Sequence, residues 1–345
     1  MPRVTINDVS KSAGVSIKTV SRVINGEANV SNETRDRVEQ AIKALRYKPS
    51  VAARTLAGRR SFQIGLLYDN PSVYYTSDIQ KGASSRGLAN GYRVLFQSCD
   101  LRSRTLAAEV GELIDHNHID GIILTPPLTE SKTILKELAR RELPFVRLAP
   151  GGDPELSPLV QIDDVAASIE MTNHLINLGH RRIAFIKGHP DHPCVRQRLQ
   201  GFMDAMQARS VPVDRELIVD GRFSFESGIE AGRRLLTRRY RPTAIFSSND
   251  DMAAGVLTVA HEMALSIPGD LSVAGFDDTD VARIVWPQLT TIRQPTRRLA
   301  SMATDLLLNA LSSPPPKPRL VLNYQLLTRD STGPAPRAFG PITTG

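Results

Sequence analysis

From Phe62 onward, short apolar runs of strand length alternate with longer amphipathic stretches, and this rhythm leaves few folds open to the chain. Strand-length runs fall at 64–68, 94–97, 121–125, 145–148, 160–163, 183–187, 217–220, 244–248 and 272–276. Helical stretches lie between them at 78–90, 105–116, 132–141, 165–178, 196–209, 226–238 and 250–263. Strands joined through helices run parallel, because each crossover returns the chain to the same end of the sheet. The pattern therefore predicts α/β sheets with helices on both faces. Nine strands are too many for one small sheet, and the Pro- and Gly-rich interval 150–158 reads as the junction between two lobes of like architecture. Beyond them a strand is expected at 289–293, a helix at 297–311, a stiff proline spacer at 312–318 and one closing strand at 319–327. The tail 332–345, rich in Gly and Pro, is expected to be disordered.

The first sixty residues follow a different period. Ile6, Val9 and Ala13 lie at helical spacing, Thr5 and Asp8 form a short capping pattern, and Gly14 ends the helix where a left-handed backbone angle is needed. Ser16 caps a second helix whose Val20 and Val23 point back at the first, while Ile17, Lys18, Ser21 and Arg22 point away. Two helices, a Gly-containing turn and a polar, partly basic outer face describe a helix-turn-helix; an ordinary helical hairpin is the alternative. A third helix, capped by Ser31, carries Val38, Ile42 and Leu45 as the stripe that closes a small core, and Pro49 ends it. The segment 50–58 has room for one or two turns, with Ala53 and Leu56 on one side, and so short a helix needs something to pack against.

Charge singles out the same region. Residues 1–60 hold twelve Lys and Arg against five Asp and Glu, and the remainder holds thirty-one of each, so the whole formal charge of +7 lies in the first sixty residues. A small basic module on a neutral body is the charge map of a nucleic-acid reader with a separate regulatory domain. A membrane-surface helix would need a Trp/Phe/Leu-rich face, which these residues lack. Only Cys99 and Cys194 occur, which gives neither a disulfide framework nor a zinc spacing. No apolar run reaches roughly 18 residues and the first residues are polar, so no spanning helix and no signal peptide are expected, and a cytoplasmic location is.

The stretch Val15-Ser-Ile-Lys-Thr-Val-Ser-Arg-Val-Ile-Asn25, followed by Val30-Ser-Asn-Glu-Thr-Arg-Asp-Arg-Val38, resembles the DNA-binding domain of the lactose-repressor (LacI) family. Further matches follow in order: Leu178-Gly-His-Arg-Arg-Ile183, Arg198-Leu-Gln-Gly-Phe202, Asn249-Asp-Asp-Met-Ala-Ala-Gly255, Val273-Ala-Gly-Phe-Asp-Asp278 and Pro287-Gln-Leu-Thr-Thr-Ile292. The likeness covers nearly all of residues 3–331. It implies an α-helical helix-turn-helix headpiece (1–49), a hinge helix and linker (50–61) that orders on operator DNA, and an α/β two-lobed core (62–331) resembling periplasmic binding proteins. One lobe would take 62–160 and 292–318, the other 161–291 and 319–331.

By position, the resemblance implies that Ile17 and Lys18 read bases, with Arg22 one turn on reaching a base edge or a phosphate. An isoleucine there can pack on a thymine methyl, and a lysine can donate to guanine acceptors in the major groove; a solvated basic face is the alternative for Lys18 and Arg22. Thr5, Ser16, Thr19, Ser21 and Asn25 would hold the DNA backbone without reading sequence. Leu56 matches the hinge leucine that, paired across a dimer, wedges between base steps in the minor groove, and Ala53 would let two hinge helices approach. The alternative for Leu56 is a core position in the lobe beneath.

In the core the resemblance implies ligand contacts by Arg198, Asn249 and Asp277. Strand ends facing a cleft are where open α/β sheets bind ligands, and these three side chains suit sugar hydroxyls or a ribose-like group; a structural ion pair is the alternative for Arg198 and Asp277. Phe223 matches an aromatic floor, with core packing as its alternative, and Tyr74 and Tyr75 sit in the loop after the first core strand. Ala149 falls where the lactose repressor carries a ligand-contacting aspartate, so one hydroxyl acceptor is missing. Arg147, inside a strand expected to be buried, either faces the cleft to bind a carboxylate or a polar sugar face, or pairs with Asp163 or Asp164.

Signatures of catalysis are weak. Gly82-Ala-Ser-Ser-Arg-Gly87 has the outer glycines of a P-loop without the Lys-Ser/Thr that must follow, and no Gly-x-Ser-x-Gly elbow occurs. The pairs His116/His118 and His189/His192 lack the companions of a metal site and read as surface or loop residues. No catalytic residue, metal or cofactor is expected. The expectation is a ligand-responsive repressor, a homodimer on near-palindromic double-stranded operator DNA, with a small effector for which a carbohydrate leads. The alternatives are a purine- or other metabolite-responsive corepressor-type regulator, and a sugar-binding protein without DNA function.

Overall fold

The computed structural model describes residues 4–24, 29–45, 47, 60–312 and 317–336. Internal contacts divide the chain into two units, residues 1–63 with 112–120 and residues 64–111 with 121–345. The sites expected at Asn25, Ala53 and Leu56 lie outside the described residues.

In the first unit, α1 (Ile6–Ala13), α2 (Ile17–Ile24) and α3 (Asn32–Ala44) form the headpiece. Helix α1 starts where the backbone N–H and hydroxyl of Thr5 both donate to Asp8 Oδ2 at 2.8 Å, and it stops at Gly14 with φ +66°. Helix α2 starts where Ser16 Oγ accepts from the Thr19 N–H at 3.1 Å. The core between them is Val9, Val20 and Val38, fully buried, with Ala13, Val23, Ala41 and Tyr47 around them. Ile42 and Leu45, expected to complete the stripe with Val38, are only partly buried. Ala41 takes the inner position instead, since it lies three residues after Val38 on the same face, and Tyr47 closes the end. An added Cβ at Gly14 meets nothing within 4 Å, so the left-handed angle alone penalises other residues there. Gly14→Ala is expected to destabilise the headpiece by about 1–2 kcal/mol, read from the headpiece transition in thermal unfolding; an unchanged transition would refute the role given to this angle.

The chain enters the core through Ser61 and Phe62, whose N–H groups donate to the Asp120 carboxylate at 2.9 and 2.8 Å. The core elements then follow as β1 (Gln63–Tyr68), α4 (Val73–Ala89), β2 (Arg93–Ser98), α5 (Leu106–Asn117), β3 (Gly121–Leu124), α6 (Lys132–Arg140), β4 (Phe145–Leu148) and β5 (Leu159–Gln161). The next are α7 (Asp164–Asn177), β6 (Ile183–Ile186), α8 (Pro193–Ala208), β7 (Ile218–Val219), α9 (Phe225–Leu236), β8 (Ala244–Ser247), α10 (Asp250–Glu262) and β9 (Ser272–Asp277). The chain finishes with α11 (Val281–Ile284), β10 (Thr290–Arg293), α12 (Thr296–Ser312), β11 (Arg319–Val321) and β12 (Gln325–Leu327).

These strands make two six-stranded sheets, ordered β11-β5-β4-β3-β1-β2 and β12-β10-β9-β8-β6-β7. Strand β12 runs antiparallel to β10, whereas the pairs β1–β3, β3–β4, β8–β9 and β9–β10 are parallel. Every residue of β3 and β9 is buried, as befits parallel strands covered on both faces. Helices α4 and α12 pack together on the first sheet, while α7 with α8 and α9 with α10 flank the second.

Three expectations need correction. The single closing strand at 319–327 is two strands, β11 in the first sheet and β12 in the second, because one straight segment cannot pair with both lobes. The lobe boundaries shift accordingly: all of β10 belongs to the second lobe and β11 to the first, so the chain crosses between lobes at 162–163, 294–295 and 322–324. The tail is ordered at least to residue 336. Ser331 Oγ donates to the Val273 carbonyl at 2.6 Å, the Gly333 N–H to Ser272 Oγ at 3.0 Å and the Ala335 N–H to the Leu178 carbonyl at 2.8 Å. Gly and Pro deny this segment regular structure, yet its backbone groups find buried partners.

Candidate functional site

In the headpiece, the alternation that buries Val20 and Val23 turns the start of α2 outward. Ile17 is 49% exposed and Lys18 is exposed beside it, while Thr19, Ser21 and Arg22 are half-buried. An exposed isoleucine against an ammonium is an apolar–cationic pair suited to a base edge. Thr5 and Ser16 stand at the N-terminal ends of α1 and α2, where free N–H groups and the helix dipole favour a phosphate.

In the core, the C-terminal ends of the strands of both sheets converge on one cleft between the lobes. It encloses about 440 Å³ of free space, part of it open to solvent. From the first lobe come Asn70 and Ser72 after β1, Tyr75 in the first turn of α4, Pro126 after β3 and Ala149 after β4; from the second come Asp164, His192, Cys194, Arg198, Phe223, Asn249 and Asp277, with Gln294 on a crossover. A direct hydrogen bond, Ser72 Oγ to Asp251 Oδ2 at 2.7 Å, and the ion pair Arg102–Asp191 at 3.4 Å link the lobes.

Arg198 is the centre of the cleft. It projects from α8, with Nε donating to Asp164 Oδ1 at 2.7 Å, Nη1 donating to the Ser248 carbonyl and lying 3.8 Å from Asp277 Oδ1, and its guanidinium 3.6 Å from the centre of the Phe276 ring. Burial disfavours its charge, but Cys194, Asp164 and Asp277 around it raise its pKa overall. Desolvation raises the pKa of Asp164 and, despite Arg198 nearby, lifts Asp277 to about 7. Burial also raises the pKa of Asp250 and Asp251, which bond to Thr279 and Thr291 and to Ser72 respectively.

Raised acid pKa values have a definite sign. Protonated Asp277 favours the folded state, so its contribution is present below the ordinary 3.8 and is lost as pH rises through about 7. Asp277→Asn is therefore expected to gain stability relative to wild type as pH climbs across that interval, measured by thermal melts; a constant difference would contradict the shift.

The other expected positions separate. Asn249 lines the cleft but is committed as a cap: Oδ1 accepts from the Met252 N–H at 3.0 Å and Nδ2 donates to the Phe223 carbonyl at 3.0 Å and to Asp251 Oδ2 at 3.1 Å. Phe223 is buried at φ +63°, edge-on to His192 with ring centres 5.1 Å apart. Tyr75 lines the cleft and Tyr74 does not. Ser72 caps α4 five residues before the expected start, so both tyrosines are helical, and a turn of about 100° per residue sends Tyr74 outward. Arg147 is completely buried outside the cleft lining, and its partners are Ser157 Oγ at 3.0 Å, the carbonyls of Gly152 and Asp153, and Glu130 at 3.7 Å. Neither Asp163 nor Asp164 is among them. His192, read as a surface or loop residue, is a buried wall of the cleft, where desolvation lowers its pKa to about 3 and keeps it neutral.

Sequence reasoning missed Asp164, His192 and Gln294, although Gln294 donates to Asp277 Oδ1 at 2.5 Å. Gln294 immediately follows β10 and Asp164 comes three residues after β5, and that position past a strand end was the available signal. Among the described residues no group of His, Cys, Asp and Glu could hold a metal ion, and no helix is long and apolar enough to cross a membrane.

Residues 5–50 match the bacterial regulatory proteins of the lacI family, and residues 172–332 match the periplasmic binding protein-like domain. The chain is 35% identical over 337 residues to the HTH-type transcriptional regulator DegA of Bacillus subtilis (strain 168), covering 96% of this chain and 99% of that one. Among solved structures it is similar to the transcriptional regulator CelR–cellobiose complex, with a TM-score of 0.73, 32% identity, and 95% and 100% of the two chains covered. It is also similar to the lac repressor dimer bound to operator and the anti-inducer ONPF, with a TM-score of 0.78, 29% identity, and 96% and 100% covered.

Proposed function

Because the chain belongs to the lacI family of bacterial regulatory proteins, we propose that it is a homodimeric repressor whose hold on a near-palindromic operator is set by a small hydroxyl-rich ligand, foremost a sugar, in the interlobe cleft. The observation that carries the ligand class is the polar lining around Arg198: a guanidinium already paired with Asp164 and Asp277, with Asn70, Ser72 and Gln294 and the aromatic ring of Phe223. Such groups accept from and donate to hydroxyls, whereas an anionic sugar acid or phosphate would have to compete with Asp164 and Asp277 for a guanidinium they already hold. With Arg147 turned away, no other Lys or Arg is among the described residues that line the cleft.

The headpiece supplies the DNA contact. Ile17 and Lys18 choose the sequence, Arg22 reaches a base edge or a phosphate, and Thr5, Ser16, Thr19, Ser21 and Asn25 hold the backbone. Two-fold symmetry of the protein maps onto symmetry of the operator. Val73 in the first lobe and Ile284 and Trp286 in the second are 75%, 72% and 76% exposed, apolar surface that a second copy would cover. Ligand bound between the lobes changes their angle and with it the spacing of the two hinge segments, so that Ala53 and Leu56 lose their place in the minor groove. The protein acts by binding, without turnover, in the cytoplasm where operator DNA is found.

A gel shift with DNA from the protein's own upstream region tests the repressor reading, and no shift at low salt would sink it. A thermal-shift screen over neutral sugars, sugar acids and nucleobases tests the ligand class. Neutral sugars are expected to raise the melting temperature most, and a larger rise with a sugar acid would overturn the charge argument.

A further inference from the structure

Arg147 is a fully buried cation that the proposed ligand contacts do not use. Its guanidinium is spent on one loop: Nε donates to Ser157 Oγ at 3.0 Å, Nη1 to the Gly152 carbonyl at 3.2 Å and Nη2 to the Asp153 carbonyl. Glu130, from the turn after β3, joins the cluster 3.7 Å from Nη1, and its Oε1 accepts from the Gly151 N–H at 2.9 Å. The loop so held is Pro150-Gly-Gly-Asp-Pro-Glu-Leu-Ser-Pro158, with two glycines and three prolines and neither helix nor strand. Nothing in that composition selects one conformation; the planar fork of an arginine, bonding several carbonyls at once, does.

The loop also reaches across the cleft. Ala149, at φ +44°, lines the cleft from the end of β4. Two residues on, Gly151 packs against the second lobe so closely that an added Cβ would lie 2.5 Å from Cβ of Pro193. Pro193 opens α8, the helix that carries Cys194 and Arg198 into the cleft. One buried side chain thus fixes the segment of the first lobe that abuts the ligand-bearing helix of the second.

We infer that Arg147 is a positioning residue for the cleft: by clamping the 150–157 loop against Pro193 it sets how far the two lobes close. The inference rests on the cleft being the effector site, but its test reads closure directly and needs no ligand. Cys194 lies in the cleft next to the Gly151–Pro193 contact, and Cys99 is buried elsewhere in the first lobe. Burial pushes both thiols up to about 12, which suppresses the thiolate that alkylation needs. Because Cys194 lines the cleft and Cys99 does not, opening is expected to expose Cys194 more than Cys99.

The experiment is iodoacetamide labelling of the full-length protein, with each cysteine followed by peptide mass spectrometry. In Arg147→Met, Cys194 is expected to label roughly tenfold faster, the loss of one or more charged hydrogen bonds from the closed state, with Cys99 unchanged. Arg147→Lys, which keeps the charge but not the fork, should fall between. Gly151→Ala removes no hydrogen-bonding group from the cluster but sets a Cβ against Pro193, so it should also accelerate Cys194 even if Arg147→Met folds poorly. Two results overturn the inference: Cys194 labelling in Gly151→Ala equal to wild type, or Cys194 and Cys99 accelerating together in both variants. A gel shift on the same samples keeps this separate from the repressor reading, which fails only if the wild type does not bind DNA.

Discussion

Arg198→Met is expected to abolish the ligand response while leaving operator binding in place. The substitution keeps volume against the Phe276 ring but strips the cation from Asp164 and Asp277. Both carboxylates are buried, and breaking such a pair by removing one partner costs about 3–5 kcal/mol, because the survivors must be protonated or left unpaired. For a core of this size that corresponds to a fall in melting temperature on the order of 10 °C. The deficit should shrink as pH drops below about 7, where Asp277 takes up its proton in the wild type as well. Calorimetric titration with the sugar that scores in the thermal screen, together with gel shifts at several sugar concentrations, separates the outcomes. Operator release that persists in the variant would show that Arg198 is not a ligand contact; loss of DNA binding and of folding together would assign it a structural role alone.

Lys18→Ala is expected to have the largest effect on DNA binding. Lys18 is exposed at the start of α2 and carries no core packing, so the headpiece should remain folded. One good base contact discriminates by about 1–3 kcal/mol, and a two-fold dimer makes it twice, so specific affinity should fall roughly a thousandfold. The loss should depend on the half-site base opposite the lost ammonium. Arg35→Ala, by contrast, should cause a smaller loss that is the same on every sequence, as expected for a phosphate contact. Gel-shift titrations on a set of single-base operator variants make the comparison. An equal loss on all of them would place Lys18 on the backbone.

Much of this was legible in the chain itself. The 3.6-residue period of Val9, Val20, Val23 and Val38 specified a small helical core, and Gly14 marked the turn between its first two helices. Apolar runs such as 244–247 and 272–276, separated by a helix, specified parallel sheets covered on both faces. The family resemblance implied a common cleft for Asn249 and Asp277, and both stand at or just past the C-terminal ends of strands, where such sheets present ligands.

What the sequence by itself determined, then, are features set by neighbours along the chain: periodicity, caps, turns, and the order of strand and helix. The tertiary structure alone decided what depends on distance through space. Tyr75 lines the cleft and Tyr74 does not because Ser72, at the start of α4, is held by Asp251 of the other lobe, 179 residues away. Arg147 serves the loop at 150–157 and not the cleft because four partners from two segments converge on its guanidinium. His192 is a neutral wall because Phe223, thirty-one residues later, packs against its ring. The segment 319–327 divides between two sheets because its edge partners, β5 and β10, lie in different lobes. In each case burial and hydrogen bonding between residues distant in sequence override what local spacing allows.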